Sequence, residues 1–117
     1  MISPPRNMAG ENVDGYLDVV MQSALHHSRR EKRREMVYLL GELYDERALG
    51  TLEAIMSEDD PYLVCESVRA AGKIGGPKAL KQLQAMANHP SFMVRGEVAL
   101  ALGAMADEDG MKLIDEL

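Results

Sequence analysis

Few residues in this chain could do chemistry, and their spacing does not assemble a familiar site. The histidines are His26, His27 and His89, and none has the spacing to a cysteine or another histidine that zinc sites use. The single cysteine, Cys65, has no histidine near it in sequence to act as a base. We therefore predict no catalytic residues, no metal ligands and no cofactor, and we interpret Cys65 as a partly exposed, unreactive thiol.

The densest charge cluster is the run Arg-Arg-Glu-Lys-Arg-Arg-Glu at residues 29–35. A nucleic-acid patch would gather its arginines on one helix face and interleave aromatic residues for base stacking. Here helical spacing divides the basic residues between two faces, two glutamates interrupt them, and no aromatic residue is interleaved. A solvated helix face with local ion pairs explains the run better than a binding patch.

Composition and charge favour a small helical domain that does not bind nucleic acid. The chain has 117 residues, 46% of them hydrophobic, with nine Met and only five aromatic residues, which suits helix-on-helix packing. The net charge of −6 lies in residues 45–117, which repels phosphate backbones. One cysteine, no signal-peptide pattern and no long apolar run predict a cytoplasmic protein that is not embedded in a membrane.

The elements that must position these residues repeat along the chain. A nine-residue stretch starting at Glu35 recurs at Glu66 and at Glu97, a constant spacing of 31 residues that is typical of stacked repeat arrays. The spacing continues through apolar columns such as Leu52, Leu83 and Ile114. The pattern predicts an all-α fold, an α-solenoid of helical hairpins with about seven helices, formed by a half repeat and three full repeats.

Apolar periodicity and capping signals place the helices. Residues 1–14 read as a flexible tail, and residues 15–117 as the solenoid domain. Ser28-Arg-Arg-Glu31 has the spacing of a capping box, while Asp45 and Asp60-Pro61 are good helix starts. The predicted helices run from Gly15 to the region of His26, then over 29–44, 46–57, 61–74, 78–87, 91–105 and from Asp107 to Leu117.

Gly41, Gly72 and Gly103 occupy one column near the end of a predicted helix. Glycine there costs about 0.5–1 kcal/mol relative to Ala. We predict that each provides a spot without a side chain where the second helix of the same pair crosses closely. A simple helix terminator is the alternative, but the apolar period continues beyond each glycine.

The repeated stretches resemble a known family. Val94-Arg95 with residues 98–103, and residues 40–49, are similar to the short HEAT-like repeat also found in phycobilin lyases. The resemblance implies that first helices line a convex side and second helices a concave side. Such proteins mostly bind other proteins, some chaperone a tetrapyrrole, and some hold a metal. HEAT-like hydroxylases that hold iron share repeated His-Glu pairs, and no histidine of this chain is followed by Glu.

The concave face implied by this resemblance is the predicted binding surface. Its basic side chains would suit an acidic segment of a partner protein, with Tyr16 as an aromatic anchor. An ordinary solvated face is the alternative. The candidate residues are Tyr16, Val19, Arg47, Thr51, Lys78, Lys81, Gln82 and Lys112.

From these features we predict a non-catalytic module for protein–protein interaction, acting as a scaffold. The alternative is a tetrapyrrole (bilin) lyase or a carrier of a similar acidic cofactor. The last predicted helix has no following repeat to cover it, so its apolar residues could also join two copies of the chain. Those residues are Met111, Leu113, Ile114 and Leu117.

Overall fold

The computed structural model describes the backbone of residues 9–116 and the side chains of residues 14–108. This part of the chain is helical and contains no strand. The predicted all-α fold is confirmed. The helices are α1 (Ala9–His26), α2 (Arg30–Glu42), α3 (Leu49–Met56, preceded by a 3-10 turn at Glu46–Ala48), α4 (Pro61–Ile74), α5 (Gly76–Ala85) and α6 (Phe92–Glu116).

The helices form two rows. The first helices of the repeats, α2, α4 and α6, pack side by side, while α1, α3 and α5 form the second row beneath them. α4 is the centre of the molecule because it contacts α2, α3, α5 and α6. The buried side chains form one continuous core between the rows, to which Leu40, Leu52, Leu63 and Leu83 contribute fully buried side chains.

Two predicted boundaries differ from the structure. α1 begins at Ala9 instead of after Asp14, so residues 9–14 are helical, and residues 1–8 lie outside the described residues. α6 continues through Asp107 to Glu116, so the described chain has six helices instead of seven. At the corresponding place in the earlier repeats, the first helix ends at residues with positive φ angles, which are Tyr44 in one repeat and Gly75 and Gly76 in the next. The matching residues 106–108, Ala-Asp-Glu, contain no such breaker.

The capping signals at Asp45 and at Asp60-Pro61 predicted the helix starts correctly. The Asp60 carboxylate accepts hydrogen bonds from the backbone N–H groups of Tyr62 and Leu63, and Asp45 accepts one from Arg47 N–H. The predicted capping box at Ser28 does not form. Instead Arg29 is the N-cap of α2 and makes no side-chain cap bond.

Gly41 and Gly72 do mark close helix contacts, but not with the helix that we predicted. A Cβ on Gly41 would lie 3.0 Å from Ala70 Cα, on α4. The partner is therefore the first helix of the next repeat, and not the second helix of the same pair. The tight row of first helices depends on this contact. At Gly103, where no further repeat follows in the described residues, such a Cβ would meet nothing within 4 Å.

Candidate functional site

The predicted binding residues are spread along the second row of helices. Tyr16 and the exposed Val19 lie on α1, the half-buried Thr51 lies on α3, and the exposed Lys78 and Lys81 lie on α5. In the part described, neither lysine forms an ion pair. The side chain of Lys112, like those of the apolar residues predicted to join two copies, lies outside the described residues.

Two of these predicted residues are not available to a partner in the way we expected. Gln82 is 5% exposed, and its Nε2 donates a hydrogen bond of 3.0 Å to the Leu49 carbonyl, which places it inside the core. Arg47 is exposed, but its guanidinium is bound by Asp45 and Asp14, which raise its pKa. The surface predicted to receive an acidic segment therefore loses one cation and one amide.

The basic run at the start of α2 is ion-paired, as predicted, but most of its pairs reach another repeat. Arg30 binds Asp60 at 2.5 Å, and Arg33 binds Glu58 at 2.6 Å. Asp60 is the N-cap of α4, and Glu58 lies in the loop before it. The pairs hold the first repeat against the second, so the run serves the packing of the array.

A ladder of charged side chains continues along the row of first helices. Lys73 on α4 reaches back to Glu42 at 2.6 Å and lies 4.3 Å from the ring centre of Tyr38. Arg69 bridges Glu66 and Glu97, both at 2.5 Å. Charge-assisted bonds of this length raise the pKa of Lys73 and Arg69, and Lys73 lowers the pKa of Glu42.

A pocket opens where this ladder stops, between α4 and α6. The residues 31 positions after Arg69 and Lys73 are Leu100 and Ala104, whose shorter side chains leave the groove over Gly72 unfilled. The resulting α4/α6 pocket has a volume of about 380 Å³. Its other lining residues are Tyr44, Glu97, Ala101, Met105 and Glu108.

The α4/α6 pocket combines an apolar floor with a charged rim. Arg69 and Lys73 on the rim are already bound by the carboxylates of Glu42, Glu66 and Glu97. The lining residues thus carry two acids and two bases, and Glu108 is the lining acid that forms no ion pair within the described residues. Tyr44, on the rim, has a φ of 52°, an uncommon left-handed conformation for a residue with a side chain. The pocket is suited to a ligand with an aliphatic stem and a positive charge.

The described residues do not fit a bound metal ion. No three His, Cys, Asp or Glu side chains lie close enough together among residues 14–108 to hold one. Nδ1 of His27 accepts a hydrogen bond from Arg29 N–H, and Nδ1 of His89 accepts one from Ser91 N–H, so both rings stabilise turns. Cys65 is buried, not partly exposed as predicted, and burial raises the pKa of its thiol.

Comparison with known proteins gives the family. Models of HEAT repeats match residues 17–103 and 65–117, together nearly all of the helical array. The chain belongs to the HEAT-repeat family. HEAT-repeat proteins commonly bind partners along extended surfaces, whereas the acidic partner and the pairing of two copies stay predictions. No helix of this HEAT-repeat protein within the described residues has the length and apolar character to cross a membrane.

Two similar proteins carry the name of an enzyme, deoxyhypusine hydroxylase. The HEAT-repeat chain is 36% identical over 72 residues to a deoxyhypusine hydroxylase of Danio rerio, covering 60% of this chain and 24% of that protein. It is 32% identical over 107 residues to the deoxyhypusine hydroxylase of Homo sapiens, covering 90% of this chain and 34% of that protein. The chain thus spans about a quarter to a third of these relatives.

A solved structure of human deoxyhypusine hydroxylase in complex with glycerol has the same fold. The TM-score is 0.63 at 23% identity, over 78% of this chain and 43% of that one. Our prediction of a non-catalytic interaction scaffold, with a tetrapyrrole lyase or carrier as its alternative, was wrong, since the relatives are named as hydroxylases. Repeat helices indicate a fold but not whether it hosts an enzyme, which explains the error.

Sequence reasoning missed the α4/α6 pocket, although a signal for it was present. Arg69 and Lys73 share repeat columns with Leu100 and Ala104, and the change from long basic to short apolar side chains is visible in the sequence. The family resemblance implies a binding face on the second helices, so the predicted binding residues lie there. The informative feature was the change on the first helices from long basic to short apolar side chains at equivalent repeat positions.

Proposed function

We propose that this chain takes part in the hydroxylation of deoxyhypusine, the reaction in the names of its relatives, and that the α4/α6 pocket binds the substrate side chain. The observation that carries the proposal is the pocket itself, which combines an apolar floor with the Glu108 carboxylate, an acid that forms no ion pair within the described residues. An aliphatic side chain that bears a basic nitrogen matches both features.

Each part of the pocket has a role in this proposal. Leu100, Ala104 and Met105 cover the aliphatic stem, since removing apolar surface from water gains about 25 cal/mol per Å². The Glu108 carboxylate receives the charged nitrogen at the rim, and the Tyr44 ring offers its face to the same cation. Arg69 and Lys73 keep their carboxylate partners and so define the walls.

The proposal assigns substrate binding to this part of the chain and no metal chemistry. Hydroxylases that use iron need several imidazole and carboxylate ligands converging on one ion. Residues 14–108 bring no such set together. The groups that activate oxygen would therefore have to come from outside the described residues, for example from a second polypeptide.

A binding experiment with matched variants tests the proposal. A peptide carrying deoxyhypusine should bind the wild-type chain more tightly than the same peptide carrying norleucine, measured by calorimetry. Ala104→Leu fills the pocket and Glu108→Gln removes its rim charge, so both should weaken binding by about tenfold or more. Asp18→Asn, an exposed acid on α1 and outside this pocket, is the control and should bind like the wild type.

The reaction itself is tested with the same peptide. The wild-type chain and the Ala104→Leu variant are each added to an extract that hydroxylates deoxyhypusine, and the gain of one oxygen atom is followed by mass spectrometry. Adding the wild-type chain should change the rate of hydroxylation, and adding the variant should leave that rate unchanged. Equal binding of the norleucine peptide, or no sensitivity to Ala104→Leu, would refute the proposed site.

A further inference from the structure

A second pocket lies among the second helices, away from the proposed substrate site. It has a volume of about 280 Å³ and is formed by the C-terminal parts of α3 and α5. It shares no lining residue with the α4/α6 pocket. The residues of this α3/α5 pocket are Glu53, Met56, Ser57, Gln82, Ala85 and Met86.

One side chain of this pocket has an unused hydrogen-bonding atom. Gln82 is 5% exposed, and its Nε2 donates to the Leu49 carbonyl at 3.0 Å, which fixes the orientation of the amide. Its Oε1 has no hydrogen-bond partner among the described residues. Buried carbonyl oxygens are nearly always paired, so an acceptor left over at a pocket indicates a missing donor.

The electrostatics of the α3/α5 pocket favour a positively charged donor. Glu53 is exposed and forms no ion pair in the described part of the chain. Residues of the last turn of both α3 and α5 line the pocket, so the partially negative C-terminal ends of the two helices lie beside it. A carboxylate, an unpaired amide oxygen and two helix ends therefore all favour a cation at this place.

The apolar residues of the pocket favour a cation on an aliphatic stem. The thioether side chains of Met56 and Met86 and the methyl group of Ala85 line it beside the polar atoms. Unbranched methionines adapt to a ligand, and the half-buried Met86 has the freedom to admit it to Oε1. A bare metal ion would use none of this surface, and residues 14–108 hold no set of metal ligands.

We propose that the α3/α5 pocket binds the side chain of an arginine or lysine presented by a partner protein. The charged group donates hydrogen bonds to Gln82 Oε1 and to the Glu53 carboxylate, and the methylene stem packs between Met56 and Met86. The partner is thus basic at this position, opposite in charge to the acidic segment predicted from the sequence.

The test follows the ε-methyl groups of Met56 and Met86 by NMR, because both residues line this pocket and neither lines the α4/α6 pocket. The chain is titrated with short blocked peptides that carry one arginine, one lysine or one norleucine, and with spermidine as a free polyamine. The arginine and lysine peptides should shift both methyl signals in a saturable way, and the norleucine peptide should not.

Three variants separate the contributions. Glu53→Gln should weaken binding by about tenfold, since it removes the only charge contributed by a lining residue. Gln82→Met keeps the size of the side chain but removes the acceptor, and should also weaken binding. If Gln82→Met does not fold, the exposed Glu53→Gln still decides. Asp18→Asn, an exposed acid on α1 outside both pockets, is the control and should bind the peptides like the wild type.

Several results would overturn the inference. These are the absence of shifts with the basic peptides, equal shifts with the norleucine peptide, and no effect of Glu53→Gln. Shifts with spermidine but not with the peptides would refute a partner protein as the source of the cation. Loss of binding in Glu108→Gln would show that the peptides use the α4/α6 pocket, and would leave the proposed substrate site intact.

Discussion

Gly72 on α4 and Ala101 on α6 touch so closely that a Cβ on Gly72 would lie 3.0 Å from the Cβ of Ala101. Gly41 and Ala70 repeat this contact one repeat earlier, with the Ala70 backbone itself at 3.0 Å. The first helices of successive repeats thus pack through a glycine on one helix and an alanine on the next. Gly103 has the same position in the last repeat but meets nothing within 4 Å.

The same substitution at these glycines should have opposite effects. Gly41→Ala and Gly72→Ala force neighbouring helices apart, and overpacking of this kind typically costs about 1–3 kcal/mol of unfolding free energy. Gly103→Ala meets no neighbour and should gain about 0.5–1 kcal/mol, because alanine favours the helix. Urea unfolding followed by circular dichroism measures all three. A destabilised Gly103→Ala variant would mean that something covers this face of α6 in solution.

Asp60 should make the stability of the array depend on pH. Its pKa is lowered, first by the bonds from Arg30 and also by the backbone N–H groups of Leu63 and Tyr62. A carboxyl group with a lowered pKa stabilises the folded state at neutral pH. That contribution is lost as the pH falls below the ordinary value of about 3.9 and through the lower folded pKa. Unfolding free energies measured from pH 7 down to pH 3 should therefore fall.

Asp60→Asn and Asp60→Ala separate the two roles of this side chain. Asparagine can still cap α4 but carries no charge, so Asp60→Asn should flatten the acid dependence and keep most of the neutral-pH stability. Asp60→Ala also removes the cap and should cost about 0.5–2 kcal/mol at pH 7. An acid dependence that persists unchanged in Asp60→Asn would assign it to other carboxylates, such as Glu42 or Asp45, whose pKa values are also lowered by bound cations.

The fold could be predicted from sequence because every repeat carries the same local information. The 31-residue spacing and the glycine column recur in every repeat, and Asp60-Pro61 marks the start of one helix. Local rules are enough to interpret each of these signals. The merging of the last two predicted helices could not be foreseen so easily. It depends on residues 106–108 lacking the positive φ angles that Tyr44, Gly75 and Gly76 supply in the earlier repeats.

The candidate site was harder to predict because it is defined by contacts between repeats. Gln82 has a polar side chain at a position that we took for solvent-facing, yet the Leu49 carbonyl, 33 residues earlier, binds its amide inside the core. Arg47 is occupied by Asp14, also 33 residues away. Neither partner can be inferred from helical spacing within one repeat.

Cys65 should react slowly with thiol reagents in the folded protein. It is 6% exposed, and desolvation is the main cause that raises the pKa of its thiol, with Glu97 adding to it. Both effects keep the thiolate rare and inaccessible. Alkylation by iodoacetamide at pH 8, followed by mass spectrometry, should be much slower than in urea. Reaction at the unfolded rate in native buffer would contradict the burial of this residue.

Tyr44 offers a test of stability against binding at one residue. It follows the end of α2 with a φ of 52°, a position where helices usually have glycine. The left-handed conformation costs a residue with a side chain about 1–2 kcal/mol. Because the Tyr44 side chain is 64% exposed, its packing offsets little of that cost. Tyr44→Gly relieves the strain but adds chain entropy to the unfolded state, so unfolding free energy should stay level or rise by up to about 1 kcal/mol.

The same Tyr44→Gly variant should bind the deoxyhypusine peptide more weakly, because it removes one wall of the α4/α6 pocket. Tyr44→Phe keeps both the ring and the strained backbone, so it should match the wild type in stability and in binding. Calorimetric titration gives the binding affinity of each variant, and urea unfolding gives the unfolding free energy of each. A Tyr44→Gly variant that is less stable and binds normally would show that the tyrosine is retained for packing against α4, and the ring would have no place in the proposed site.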